Sequence, residues 1–471
     1  MLIATAVAAA LSYLPAASQA QSASEFVQIR EQLQSLMQRV DKLEQENSSL
    51  KEQNENLKSQ TDYLKAETKG LRKDAATTSA DVAKVKGADW AGKLAITGDV
   101  RYRYEGISDE TLNAAGVQNT ADRYRDRIRA RLNATVKATD TITAGIGFST
   151  TEGGTDASTG GDPRSGNQTL TNVFSRKSIY LDTAYVDWKF AGWGDLIAGK
   201  MKQPFWKPGQ SLFWDNDVNP EGLAFNFNQG MFFGTAYYYW LSEISGNEST
   251  ITSDIQLVGA QAGVKLPFGS SNFVIAAHYY DLRGGQDRSP FWVASPTALV
   301  PVPAGAANNN TTVNVVTGTA PNTVTRAILV NDYNVAELST EFNTTIGELP
   351  LQAWAQVAKN DDPDDFDTAW AAGVLFGKAS NYRTWEFGVA YESLEKDALF
   401  GQLIDSDFAG GVTDSEGWIF RAGYAPVKNW TLNATYFLTQ RNVDVGTTPV
   451  AGELQSDIDY DRLQVDFNVK F

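Results

Sequence analysis

The stretch "DRYRDRIRARLNATVKA" (residues 122–138) places arginine at Arg123, Arg125, Arg127, Arg129 and Arg131, and continues on the same parity with Asn133, Thr135 and Lys137. The other parity carries Tyr124, Ile128, Ala130, Leu132, Ala134 and Val136, with Asp126 an exception near one rim. A period of two is the signature of a strand whose successive side chains point to opposite faces. Basic runs ordinarily suggest nucleic acid, but the chain's formal net charge is −16. Here the period also sorts the arginines away from the apolar residues, which excludes nucleic acid as a partner. A strand with one charged and one apolar face fits either a soluble sandwich or a membrane barrel.

The same alternation recurs along the chain. In "LAITGDVRYRYE" (residues 94–105), Leu94, Ile96, Val100, Tyr102 and Tyr104 oppose Thr97, Asp99, Arg101, Arg103 and Glu105. "WEFGVAYES" (385–393), "WTLNATYFL" (430–438) and "RLQVDFNVKF" (462–471) repeat it. Tight turns such as "KATD", "FAGWG", "FNQG", "PFGSS", "GELP", "GKASN" and "PVKN" occupy every second junction. The junctions between them are longer, polar and low in complexity, as in "TEGGTDASTGGDPRSGNQT" and "ANNNTTVNVVTGTAPNT". A sandwich has no reason to sort its connections by length, whereas an outer-membrane barrel puts short turns at one end and long loops at the other. The expectation is an all-β transmembrane antiparallel barrel of about sixteen strands over residues 90–471.

An arginine facing lipid at mid-bilayer costs roughly 2–4 kcal/mol, so a ladder of them must face the lumen. On this reading Arg101, Arg103, Arg125, Arg127, Arg129 and Arg131 make one basic wall of a channel. Arg462 and Lys470 of the last strand lie beside it once the barrel closes, and Lys200 and Lys202 share the lumen-facing parity. The third long connection, "QPFWKPGQSLFWDNDVNPEG" (203–222), carries Asp215, Asp217 and Glu221 among Phe205, Trp206, Phe213 and Trp214. Aromatic residues suit such a loop to folding inward, which sets acid against base across a constriction. A transverse field of that kind favours small polar solutes over apolar ones. Salt bridges between the arginines and lumen acids such as Asp99 and Asp466 are the plainer alternative.

The N-terminal part is of another kind. "MLIATAVAAALSYLPAASQA" (1–20) reads as an export signal with Ser18 and Ala20 at the cleavage positions, although no Lys or Arg precedes its apolar core. Leucine then recurs every seventh residue at Leu36, Leu43, Leu50, Leu57, Leu64 and Leu71. Leu33, Val40, Asn47, Asn54, Thr61 and Thr68 fill the alternate core positions. Leucine at d over six heptads predicts an α-helical coiled coil over 24–74, a self-associating stalk, with a trimer favoured over a dimer. About forty residues make a rod of roughly 60 Å, and 75–89 reads as a linker.

The absence of cysteine and the single histidine, His278, exclude disulfides, thiol chemistry and multi-histidine metal sites. No catalytic residue, metal or cofactor is expected. An enzyme would need His278 beside a serine or an acid, yet in "VIAAHYY" its sequence neighbours are apolar.

"LDTAYVDWKF", "AGKMKQPFW" and, most specifically, "LFWDNDVNPEGLAFNF" resemble the Gram-negative "putative porin" family that carries an N-terminal coiled coil. They are more distantly similar to the phosphate- and polyphosphate-selective porins. The resemblance implies a trimeric passive channel in the bacterial outer membrane, and a C-terminal Phe471 read by the barrel-assembly machinery. The relatives' dense lysine clusters are reduced here to Lys200, Lys202 and Lys207 with acids beside them, so phosphate selectivity is not carried over. The function expected is a diffusion porin for small hydrophilic solutes with its stalk in the periplasm. The alternative is a structural tether that uses the stalk, with peptidoglycan as a candidate partner and conduction incidental.

Overall fold

The computed structural model describes residues 23–87, 91–111, 122–152, 161–171, 173–243, 254–288, 307–319, 322–445 and 456–471. The export signal expected over 1–20 lies outside them. The chain divides into two units, Met1–Ala88 and Asp89–Phe471.

The first unit is one helix, α1, Ala23–Gly87. It does not end at residue 74; it runs through most of the stretch read as a linker, where Ala and Lys favour the helix and no Pro intervenes. The leucines at positions 36, 43, 50, 57, 64 and 71 are all exposed in the single chain. Thr61 and Thr68, which fill core positions of the heptad, turn their hydroxyls back to the carbonyls of Leu57 and Leu64.

The second unit is a closed barrel of sixteen antiparallel strands. In chain order these are β1 Leu94–Asp109, β2 Arg123–Lys137, β3 Ile142–Thr150, β4 Ile179–Ala191, β5 Gly194–Lys200, β6 Glu221–Gln229, β7 Phe232–Ser242 and β8 Ile255–Phe268. Then follow β9 Ser271–Arg283, β10 Asn334–Ile346, β11 Leu349–Asn360, β12 Thr368–Gly377, β13 Thr384–Leu394, β14 Ser415–Val427, β15 Trp430–Arg441 and β16 Ile458–Lys470. Each strand pairs with the next, and β16 returns to β1 with Arg103 opposite Asp466 and Arg101 opposite Asn468. Tight turns join β2–β3, β4–β5 and every second pair thereafter. They coincide with the seven short turn sequences. Outside the wall, a hairpin Thr312–Thr319/Asn322–Leu329 sits in the fifth long connection.

Alternation is what closes this wall. On β1, Val100, Tyr102 and Tyr104 are exposed on the outside while Asp99, Arg101, Arg103 and Glu105 are buried within. Asp126 departs from the pattern on the outer face, where the Tyr102 hydroxyl donates to it at 2.5 Å. Aromatic side chains gather at both ends of the outer surface. At the turn end Phe190 packs on Trp193 (5.4 Å) and Trp385 on Phe387 (4.8 Å); at the loop end Tyr391 packs on Trp370 (5.3 Å) and Trp418 (5.0 Å). Two such girdles around an apolar band are the mark of a bilayer-spanning barrel. At the closing seam the backbone of Phe471 exchanges hydrogen bonds with Gly98 at 2.9 and 3.0 Å. A Cβ on Gly98 would stand 2.6 Å from the Phe471 ring, so only glycine fits there.

The apolar core lies inside the barrel rather than between layers. Met201, Phe205, Leu212, Phe213 and Trp214 of the third connection pack with Leu399, Phe400, Ile404 and Phe408 of the seventh, against Tyr237, Tyr280, Val335 and Leu394 of the wall.

Candidate pore constriction

The strands β16, β1 and β2 present their charged parity inward. Arg103 reaches Asp466 across the β1–β16 pair at 2.6 Å, and Arg101 lies 3.8 Å from the same carboxylate. Glu105, wholly buried, binds Arg125, stands 3.5 Å from Arg127 and receives Arg462 at 3.0 Å. Asp99 receives Arg129 at 3.0 Å and Arg131 at 2.7 Å. The wall is therefore not a bare basic stripe. Register sets acids among the arginines, because cross-strand neighbours on one face stand about 5 Å apart.

Two loops meet this wall. The third connection, 201–220, folds into the barrel as its aromatic content requires: Phe205 packs on Trp214 (5.1 Å) and on Tyr237 (5.5 Å), and Trp214 on Tyr280 (5.0 Å). This places Asp217 3.0 Å from Arg131 and 3.7 Å from Arg129. Asp215 takes another role: it accepts the backbone N–H groups of Asp217 (2.7 Å) and Ser406 (3.0 Å). Glu221 is the first residue of β6 and pairs with Lys200 at 3.0 Å, away from the arginines. Lys202, beyond the end of β5, lies 3.7 Å from Asp182.

The seventh connection, 395–414, is the partner that the sequence reading missed. Asp215 N donates to Leu403 O at 2.8 Å and Asp405 N to Leu212 O at 3.0 Å, a short backbone bridge between the two loops inside the barrel. Beyond it Asp407 receives Arg103 and Arg462, both at 2.9 Å. The composition "FGQLIDSDFAGG" (400–411) offered a signal, since it mixes aromatics and acids as the third loop does. Gly410 and Gly411 turn the chain back with φ of +75° and +79°, and a Cβ on Gly410 would lie 1.8 Å from Arg441 Nη2.

Between loops and wall lies a space of about 350 Å³ where Arg101, Arg129 and Arg131 face Asp215, Asp217, Asp405 and Asp407. Burial and the neighbouring Asp407 push the Asp405 carboxyl up to about 6, and burial beside Asp405 raises Asp215. Burial also opposes ionisation of Asp407, but Arg462 and Arg103 outweigh it and hold this carboxyl well below the usual range. The seventh loop thus carries one firmly ionised aspartate, Asp407, beside one that ionises with difficulty, Asp405, and faces a second of the latter kind, Asp215, on the third loop.

His278 lies in the apolar half of the interior. Its sequence neighbours are apolar, yet its Nδ1 is 2.8 Å from Glu337 and its Nε2 2.9 Å from the Tyr237 hydroxyl. Glu337 also accepts the Trp214 indole N–H at 3.0 Å, so this polar group holds the third loop against the wall. Among the described residues no cluster of acids and histidine has metal-ligand geometry.

Residues 72–346 and 338–471 match the family described as "Putative porin". The chain belongs to that family. The porin's barrel is similar to that of OprB from Pseudomonas putida in its high-pH structure, with a TM-score of 0.50 at 14% identity, over 84% of this chain and 97% of that one. Lesser similarity connects it with the trimer form of OmpT from Vibrio cholerae (TM-score 0.42, 11% identity, 80% and 100% covered). A triple mutant of the Rhodopseudomonas blastica porin is comparable (TM-score 0.41, 10% identity, 80% and 100% covered). No curated protein matches the porin in sequence. It is an outer-membrane β-barrel with the porin fold.

Proposed function

We propose that this porin is a passive diffusion channel for small hydrophilic solutes, selected at the narrow space between the arginine wall and the third and seventh loops. The observation that carries this reading is the placement of Asp217 and Asp407, on loops folded inward, within ion-pairing distance of Arg129, Arg131, Arg103 and Arg462. Charges of both signs across a narrow space order water and disfavour apolar solutes. The long loops face outward and the tight turns the periplasm, as in this class of barrel. The leucine row of α1 is the surface on which three copies join, with the stalk in the periplasm and peptidoglycan within its reach; Phe471 is the residue the assembly machinery reads.

Recording in planar bilayers under a salt gradient tests the channel. Stepwise conductance is expected, and replacing Arg127 and Arg129 by glutamine shifts the reversal potential away from anion preference. An unchanged potential would show that the wall does not set selectivity.

A further inference from the structure

The wall of the barrel is not of even height. β5 has 7 residues and β6 has 9, against 16 in β1, 15 in β2 and 14 in β8. At about 3.4 Å per residue and a tilt of roughly 40°, β5 rises roughly 18 Å above its turn, less than the apolar band of about 25 Å. Trp193 of that turn, packed on Phe190, belongs to the lower aromatic girdle. Lys200 and Glu221 stand at the upper ends of the two short strands. They pair opposite each other, as do Ala198 with Leu223 and Leu196 with Phe225 below them. Leu196, Leu223 and Phe225 are exposed on the outer surface, so Lys200 and Glu221 lie on the outward parity, and Lys200 departs from the lumen-facing parity expected of it. Their ion pair stands within the depth of the hydrocarbon, with the Glu221 side chain 61% exposed. Charge at that depth is costly against lipid.

Above this pair the third connection leaves the wall for the interior, and a cavity of about 820 Å³ spans the notch. Arg131, Asp217 and Tyr239 line it from the lumen, and Leu181, Glu221 and Trp240 from the outer surface. Irregular backbone and polar groups at membrane depth are tolerated only where protein or water covers them. The same chain carries an apolar tip in the second connection, shortly before β4. Val173 and Phe174 are 93% and 100% exposed and held at φ of +48° and +61°, a strained conformation for a β-branched or bulky residue. Arg176, exposed as well, follows them with a charge opposite to that of Glu221.

We propose that the notch seats the second connection of a neighbouring copy of this chain. Val173 and Phe174 of one copy enter the mouth between Leu181 and Trp240 of the next, and Arg176 meets Glu221. The neighbour takes the place of lipid over the polar groups, so the cavity is complete only with two chains around it. The gathering of copies rests on the association surface proposed for α1, which raises the effective concentration of a contact too small to hold alone.

The test uses the full chain in lipid vesicles. The protein has no cysteine, so Phe174→Cys and Trp240→Cys chains are co-expressed and treated with a short bismaleimide. A product of two chains is expected from this mixture and not from Phe174→Cys mixed with Trp418→Cys, a control at an exposed position on β14. Absence of the product, or an equal yield with the control, would overturn the contact. Leu181→Cys should resist a membrane-impermeant maleimide, and its labelling should rise several-fold when Phe174→Asp is added. Phe174 is wholly exposed, so that variant keeps the fold. Resistance unchanged by Phe174→Asp would mean that lipid covers the notch, and ready labelling in both chains that water does; either result removes the contact. Light scattering separates this contact from the stalk. An oligomer without the cross-link removes the contact and leaves the stalk, whereas a cross-link in the Leu50→Asp, Leu57→Asp chain leaves the contact and removes the stalk.

Discussion

Asp405 and Asp407, two residues apart, respond to pH in opposite directions. Asp407, held low by Arg462 and Arg103 against burial, stays ionised through the physiological range. Its contribution to stability is present above the ordinary carboxylate pKa and is lost only as pH falls through its depressed value. Asp405, raised to about 6 by burial and by Asp407, has the reverse sign: its contribution is full below the ordinary pKa and lost as pH rises through about 6. Protonating Asp405 removes a negative charge from the constriction. The reversal potential should therefore move toward anion preference as pH drops through about 6, and Asp405→Asn should abolish that step. A step of the same size in the variant would assign the titration to another group, with Asp215 the first alternative because burial beside Asp405 raises its carboxyl too.

The strands were legible element by element, because lipid outside and charge inside impose a strict alternation. The turns were legible through their Gly, Asn and Asp residues, as at Gly347 and Asn429, both with positive φ. The third loop's inward fold could be read from its rings. The seventh loop's could not, because its anchors are far apart in sequence. Asn310 Nδ2 donates to the carbonyls of Lys396 and Leu399, both at 2.9 Å, and Asp397 accepts the Tyr333 hydroxyl at 3.0 Å. The pairing of each wall arginine escaped for a related reason: it depends on strand register, which a single sequence does not state. Since Gly410 has φ +75° and a Cβ there would displace the Arg441 guanidinium, Gly410→Val should strain the turn by about 1–3 kcal/mol and loosen Asp407 from Arg103 and Arg462. Single-channel recording should show a larger, noisier conductance; wild-type traces would mean that the loop does not narrow the path.

For the molecule as a whole, the leucine row of α1 is the association surface proposed above, while the barrel folds around its own core. Leu50→Asp with Leu57→Asp should reduce the mass measured by light scattering to that of one chain and leave the β-sheet circular dichroism intact. An oligomer that survives the double substitution would place its contacts on the barrel. The charge pairing along β16, β1 and β2 has a consequence for current at low salt. A bare row of guanidiniums would hold a cloud of counterions whose density hardly falls when the bath is diluted, so conductance would level off. With Asp99, Glu105, Asp407 and Asp466 set among them, that cloud is thin. Below 0.1 M, where the Debye length exceeds about 10 Å, conductance should go on falling in proportion to salt concentration, so that the carriers in the pore are those the bath supplies.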